Sequence, residues 1–522
     1  MIIWRIQQTK FAERKDVLAP EVSLHPQLPA LTMGPSLTSL PSEVLLLILY
    51  QLDIYHILLL RQTCTRLADF TRDKAVWLSL LHIQQHTLPL PRALRRGPSD
   101  YVDALAHDEL EAIVTSNQLV DDLWLLPRNE QDFAQLQPRR GDYLIGLEVF
   151  MDRWVLGVYG DAWLNMWDLD LDGRWSSHRI SVGTGREKVS SYIARLDEER
   201  QRVTLVIAGA HPQATYLYEI VLSGPASGSS PVFNALHKIS LASFHIVQEI
   251  DTSREEYCLA FSRLSSIQLV RWPTHGNSNK DPDSCFIRTE MEELDEMYTF
   301  IHAIQFMHPY LLVLKTRSVE AHPIPSSFQP TTPQNLPTLR HNIPKYNFRE
   351  VRVAAVDTRS RTIKFLASDV IQGLFYFVAK LTLEGEPMLD VRLECVYPMS
   401  HGISYRQPRE DEVLDTPTNH VRSPFFVSAY ALGSQGVRGA WIERRRGSME
   451  KNIIACRFAP RQPLDIIEDD VDTPELLDGQ VIYKFRSYDL NEDLMHCALG
   501  EVGGKIIVGN RAGNVYLLDI GG

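Results

Sequence analysis

This 522-residue chain has six cysteines, Cys64, Cys258, Cys285, Cys395, Cys456 and Cys497, and no two of them lie close together in sequence. There is no CxxC pair to hold zinc or exchange thiols. So few thiols in so long a chain make no disulfide framework, and they read as reduced thiols of an intracellular protein, cytoplasmic or nuclear. Long apolar runs are also missing. No stretch approaches the roughly 18–20 residues of a membrane span. The opening MIIWRIQQTKFAERKDV turns polar too early for a secretory signal. Positive charge is in deficit: 53 Lys+Arg stand against 65 Asp+Glu, a formal charge of -12. That argues against a uniformly basic surface for nucleic acid. The catalytic patterns HExxH, GxSxG and GxxxxGK[ST] are absent. Gly183-Thr184-Gly185 lacks the third glycine of a dinucleotide loop, and the 17 histidines are scattered without metal-ligand spacing. The expectation is a protein that is not an enzyme, with no catalytic residues, metal or cofactor.

What is present begins near residue 40. Residues 1–37 hold four prolines and no sustained period, so disorder is expected there. Met33 opens a natural start, and residues 1–32 read as an upstream extension of the gene. The segment LPSEVLLLILYQLDIYHILLLRQTCTRLADFTRDKAVWLSLL then repeats apolar residues at helical spacing. Pro41 suits a helix start, Ser42 can cap it, and Glu43 favours the positive end of the dipole. A second helix is expected over Ile54–Ala68 and a third over Asp73–Ile83. Positions 44–49 are Val, Leu, Leu, Leu, Ile, Leu without a polar break. A helix apolar all round must be covered on all sides. Three short helices bury too little to do that alone. Each exposed Leu or Ile forgoes roughly 1.5–3 kcal/mol of burial. The face is covered either by a partner or by the rest of the chain.

These residues resemble the F-box family. Leu40-Pro41, Glu43-Val44-Leu45, Ile48, Leu52-Asp53, Leu58-Leu59, Cys64 followed by Arg66, and Trp77 fall in that family's order and spacing. His56-Ile57 and Leu67 depart from it. The first pair replaces an acidic or small residue, and Leu67 replaces a frequent tryptophan. The resemblance implies a module that binds the Skp adaptor and, through it, a cullin–RING ubiquitin ligase. It implies adaptor contacts from Leu40, Pro41, Val44, Leu45, Ile48, Leu49, Leu52, Leu58 and Leu59.

Pro89, Pro91 and LRRGPSD break the chain, and residues 101–127 then read as helical. This stretch is expected to be a spacer, with Tyr101, Leu105, Ile113 and Leu123 packing. From about residue 142 the text turns to short runs rich in Val, Ile, Leu, Tyr and Phe, broken by Gly, Asp, Asn or Ser. About seven such units recur at roughly 50 residues each, a propeller-blade length with long loops. GDAWLNMWDL ends in Trp167-Asp168 and GNRAGNVYLLDI in Leu518-Asp519. Both resemble the closing strand of a WD-repeat blade, although the early Gly-His of that repeat is absent.

The expected architecture is therefore α+β and multidomain. It comprises a disordered 1–37, an F-box at 38–83, a helical connector at 84–140, and a propeller-like all-β domain at 141–522. A pair of β-sandwiches is the alternative. The expected function is the substrate-recognition subunit of an F-box-type ubiquitin ligase. It would bind the adaptor through the F-box and an unidentified protein substrate through the β domain, without nucleic acid or membrane. A propeller scaffold outside ubiquitylation is the alternative, and a propeller hydrolase or lectin-like module a more distant one. Arg444, Arg445 and Arg446 are candidate substrate contacts, because a basic run pairs with phosphate or acidic segments.

Overall fold

The structure is a computed structural model. It describes residues 37, 40–91, 94, 99–136, 143–170, 176–182, 188–197, 200–211, 214–222, 231–239, 246–252, 256–273, 283–289, 300–325, 337–369, 371–399, 425–445, 447–458 and 474–521. The chain divides into two compact units, Met1–Val76 and Trp77–Gly522. The expected disordered segment 1–37 lies outside the described residues except for Leu37.

The first unit holds helices α1 (Ser42–Leu49), α2 (Ile54–Arg61) and α3 (Thr65–Phe70). Pro41, not Ser42, occupies the N-cap of α1, and no side chain bonds that cap. Asp53 caps α2 by accepting from the His56 backbone N–H at 2.8 Å. That bond, strengthened by the His56 ring, holds the Asp53 carboxyl below its ordinary range despite some burial. The helix expected over 54–68 is split. The Thr63 hydroxyl donates to the Leu60 carbonyl at 2.7 Å, and Cys64 then turns extended before α3. Arg61 ties the pieces together by donating to the Thr71 hydroxyl and carbonyl at 3.1 and 3.2 Å. Helix α4 spans Lys74–Thr87.

In the second unit, α5 (Ser99–Ala104) and α6 (His107–Trp124) precede strand β1 (Phe133–Gln135). Seven sheets follow. Blade 1 is β2 (Leu144–Phe150), β3 (Trp154–Tyr159), β4 (Trp163–Asp168) and β5 (Ser176–Ser181). Blade 2 is β6 (Lys188–Asp197), β7 (Arg202–His211), β8 (Ala214–Val221) and β9 (Val232–Ile239). Blade 3 is β10 (Ile246–Asp251), β11 (Glu256–Arg263), β12 (Ser266–Pro273) and β13 (Asp283–Arg288). Blade 4 is β14 (Ile301–Met307), β15 (Tyr310–Lys315), β16 (Ser318–Pro323) and β17 (Leu339–Asn342). Blade 5 is β18 (Glu350–Val353), β19 (Thr362–Asp369), β20 (Gly373–Thr382) and β21 (Met388–Pro398). Blade 6 is β22 (Phe425–Leu432), β23 (Arg438–Arg445), β24 (Glu450–Arg457) and β26 (Gln480–Arg486), after β25 (Glu475–Leu476) has paired in parallel with β21. Blade 7 is β27 (Leu494–Gly500), β28 (Lys505–Asn510) and β29 (Val515–Asp519), completed by β1.

The first strand of each blade meets the first strand of the next, and β27 returns to β2, so the ring is closed. This is a seven-bladed all-β propeller, and the sandwich alternative falls. Two sandwiches would pack sheets face to face in pairs, whereas each sheet here has a neighbour on both sides. The apolar core is correspondingly divided into wedges between blades. One wedge joins blades 1 and 2, another blades 2 and 3, and so on around to blades 7 and 1. Six of the seven inner strands carry a bulge against the second strand of the blade, for example between Leu144 and Gly146 and between Leu494 and His496. A bulge bends a strand and increases its twist. The repeat of this chain is thus a backbone feature with little sequence signature.

Strand β1 pairs with β29, Phe133 opposite Leu518 and Gln135 opposite Tyr516, and closes the ring by joining the N-terminal part of the unit to its C-terminus. It lies ahead of the expected propeller start at 141. The preceding helix, expected as a packed spacer, is joined to the blades by Trp124 and Asp121. Trp124 at the end of α6 is fully buried in the wedge between blades 6 and 7, and its indole N–H donates to the Cys456 carbonyl at 2.8 Å. Asp121 of α6 accepts from Arg438 at 3.2 Å and from Arg457 at 3.0 Å. Gly504 has φ +68 and lies where a Cβ would meet Val120 of α6 at 2.7 Å, so only glycine fits there. These contacts gather at one end of the propeller, where first and second strands are joined. Among the described helices none is long and apolar enough to cross a membrane.

Candidate functional site

The F-box-like surface is built from α1 and α2. Periodicity could not orient α1, because all six positions 44–49 are apolar. In the structure Leu45 and Leu49 are turned inward, each 2% exposed. Leu47 is 63% exposed and Val44 39%, with Pro41 exposed and Ile48 half-buried beside them. Positions 44, 47 and 48 share one helical face. Of the other anticipated contacts, Leu40, Leu52, Leu58 and Leu59 are half-buried. Tyr55, exposed on α2, is an apolar side chain the sequence reading passed over. Arg66 reaches back to the Leu40 carbonyl at 3.3 Å and helps fix the start of α1. Leu67, which replaces the family's tryptophan, is buried.

The basic run of blade 6 is divided. Arg444 donates to Asp493 at 2.9 Å and lies over the Phe426 ring. Lys451 meets the same carboxylate at 2.8 Å. Despite burial, these two cations hold Asp493 below its ordinary range. Arg444 is thus engaged in tying blade 6 to the link that leads into blade 7. Arg445 is exposed, and Arg446 lies outside the described residues. The acidic run at 468–472 also lies outside them.

Inside the ring, inner strands of neighbouring blades exchange polar bonds. Tyr192 of β6 donates to Glu148 of β2 at 3.3 Å. Arg195 of β6 grips both carboxylate oxygens of Glu249 of β10 through its Nε and Nη2. Gln305 of β14 donates to the same carboxylate at 2.6 Å. Arg352 of β18 pairs with Glu350 at 2.8 Å and stays 47% exposed, so water reaches it within the channel. Burial raises the Glu148 carboxyl and the Tyr192 phenol. Burial, with the Arg352 charge, lowers His496 of β27 to about 4. These groups satisfy one another across blade boundaries, so the arrangement holds blades in register. Among the described residues no group of three or more His, Cys, Asp or Glu could hold a metal ion.

The F-box-like family model matches residues 37–82. The helices of the first unit and the exposed α1 face fall within that match. No curated protein matches the chain. Solved structures of similar fold include the β-propeller domain of Myceliophteria thermophila Cps50 (Swd1), at 8% identity and TM-score 0.44, covering 74% of this chain and 99% of that one. The C-terminal WD40 domain of Sif2 aligns at 7% identity and TM-score 0.37, covering 74% and 98%. The WD40 β-propeller domain of Doa1 aligns at 11% identity and TM-score 0.38, covering 74% and 96%. At such identities the likeness is one of fold alone, and the blade count rests on the seven sheets themselves.

Proposed function

We propose that this protein is the substrate-recognition subunit of a Skp–cullin–F-box ubiquitin ligase, with the F-box-like segment binding the Skp adaptor and the propeller binding a protein substrate. The observation that carries this reading is the exposed apolar face Val44–Leu47–Ile48, set in the segment that matches the F-box-like family. Exposed aliphatic side chains clustered on one helix face favour a protein partner. A propeller supplies a rigid surface with variable loops, suited to holding a second protein. Neither part needs catalysis of its own. Tethering raises the effective concentration of a substrate lysine near the ubiquitin-charged enzyme.

The test is co-purification of a Skp adaptor with the full chain. Val44→Asp with Leu47→Asp should abolish it while melting behaviour stays unchanged. Undiminished adaptor capture by the double variant would overturn the assignment. Leu45 is unsuitable for this test, because a charge at a buried site unfolds the helix instead of probing its surface.

A further inference from the structure

One end of the propeller is partly occupied. The Gln435 side chain, in the turn from β22 to β23, exchanges hydrogen bonds of 2.7 and 3.0 Å with the Leu90 backbone, and α6 covers the neighbouring turns through Asp121 and Val120. The opposite end carries the turns from second to third strands and the links between blades. On that end, blades 4 and 5 form a continuous band. The Phe300 and Thr316 backbones bond at 3.1 Å. Ile343 N–H donates to the Arg317 carbonyl at 2.7 Å, and Phe348 N–H to the Thr316 carbonyl at 3.0 Å. Arg349 N–H donates to the Ser368 carbonyl at 2.8 Å, and Gln372 to the Lys345 carbonyl at 3.0 Å. Phe300, Arg317, Lys345, Arg349 and Ile371 therefore line one connected ridge.

The exposed side chains of that ridge have a distinctive composition. Ile371 is 73% exposed and Phe300 50%. Arg317, Lys345 and Arg349 are exposed, and no described carboxylate forms an ion pair with them. Three acids of blades 4 and 5 are committed elsewhere, and the first, buried Glu320, pairs with Lys315 at 3.0 Å. Asp369 is buried and accepts from the Asn347, Ile371 and Gln372 backbone N–H groups. Glu350 pairs with Arg352. The blade 3 turn repeats the combination, with Leu264 exposed next to Arg263, and Arg288 opposite Ser266. Among the described residues, a local surplus of cations in a chain of net charge -12 marks a surface matched to negative charge. Aliphatic and aromatic side chains among them select a polypeptide with apolar residues over a bare polyanion.

We propose that the Phe300–Ile371 ridge of blades 4 and 5 docks an acidic segment of the partner protein, with one or two apolar residues of that segment seated on Phe300 and Ile371. This rests on the receptor reading above for its biological meaning, but the binding itself is tested separately. The probe is a fluorescein-labelled peptide of about twelve residues, long enough when extended at ~3.3 Å per residue to cross two turns. It is rich in Glu and Asp with two central leucines, and a Gln/Ser peptide with the same leucines is the control. Residues 290–299 contribute Glu290, Glu292, Glu293, Asp295 and Glu296 just ahead of Phe300 in the chain. A second full-length protein with those five as amides is therefore assayed in parallel, to remove competition in cis.

The acidic peptide should bind more tightly than the control, and the preference should shrink as salt rises. Arg317→Glu with Arg349→Glu should weaken it about tenfold, from two reversed surface contacts of modest strength. Ile371→Ser should weaken both peptides. Equal binding of the two peptides by both proteins, or full affinity in the charge-reversal variant, overturns the proposal. Tighter binding of a single-stranded oligonucleotide than of the peptide also overturns it. The same variant should capture the Skp adaptor undiminished. Loss of adaptor capture by the unaltered chain would remove the receptor reading and leave the ridge assignment standing.

Discussion

Leu45 and Leu47 sit two residues apart on α1, yet one is buried and the other faces solvent. Leu45→Ala should cost about 2–4 kcal/mol of stability, because it empties a packed site. Leu47→Ala should stay within about 0.5 kcal/mol. Chemical denaturation of the two variants separates them, and equal losses would show that the helix is rotated from the orientation described. The sequence could not make this distinction, since a run of six apolar residues has no polar face to set its phase. His496 is a second residue whose role came only from its surroundings. Burial and the Arg352 charge lower it from 6.5 to about 4. Between those values the unfolded chain takes up a proton that the folded chain refuses, so stability falls as pH drops through that window. Asp152, raised to about 6 by burial and by neighbouring Glu501, contributes the opposite slope. His496→Gln should therefore lose less melting temperature than the parent between about pH 7 and pH 4.5. An identical loss in both would remove His496 as a source of acid sensitivity.

Among the elements, the strands were the most legible. Blade 1 announced itself through Trp167-Asp168, and the structure gives both residues work. Trp167 is buried between blades 7 and 1, and Asp168 holds Arg153 through bonds of 2.8 and 2.6 Å. The elements missed were those whose conformation depends on distant partners. Strand β1 is only Phe-Ala-Gln and carries no alternation of its own. Its strand state comes from β29 at the far end of the chain. Helix α6 was visible as a helix, but Trp124 did not disclose that it fills a wedge between blades. Trp124→Ala should cost about 3–5 kcal/mol, since it removes a large buried ring and leaves the Cys456 carbonyl without its indole partner. Thermal unfolding would report this, and a loss under about 1 kcal/mol would mean the helix is dispensable to the ring.

For the whole molecule, the spacing of apolar runs gave the number of blades but not the route by which the ring closes. The boundary expected at residue 141 would cut away both β1 and Trp124. A fragment 77–522 should melt as one cooperative body, whereas 142–522 should melt well below it or fail to fold. Matching melting curves for the two would show that ring closure by β1 contributes little. Closure has a further consequence during synthesis. Phe133 waits for Leu518, roughly 380 residues later, and bringing such distant ends together carries an entropic cost that grows with the logarithm of the loop. At ~5–20 residues per second the ribosome needs about 20–80 seconds to deliver that partner. The F-box-like helices are translated well before then. A nascent chain therefore displays its Val44–Leu47 face while its last blade still lacks strands, and an encounter through that face can precede completion of the propeller.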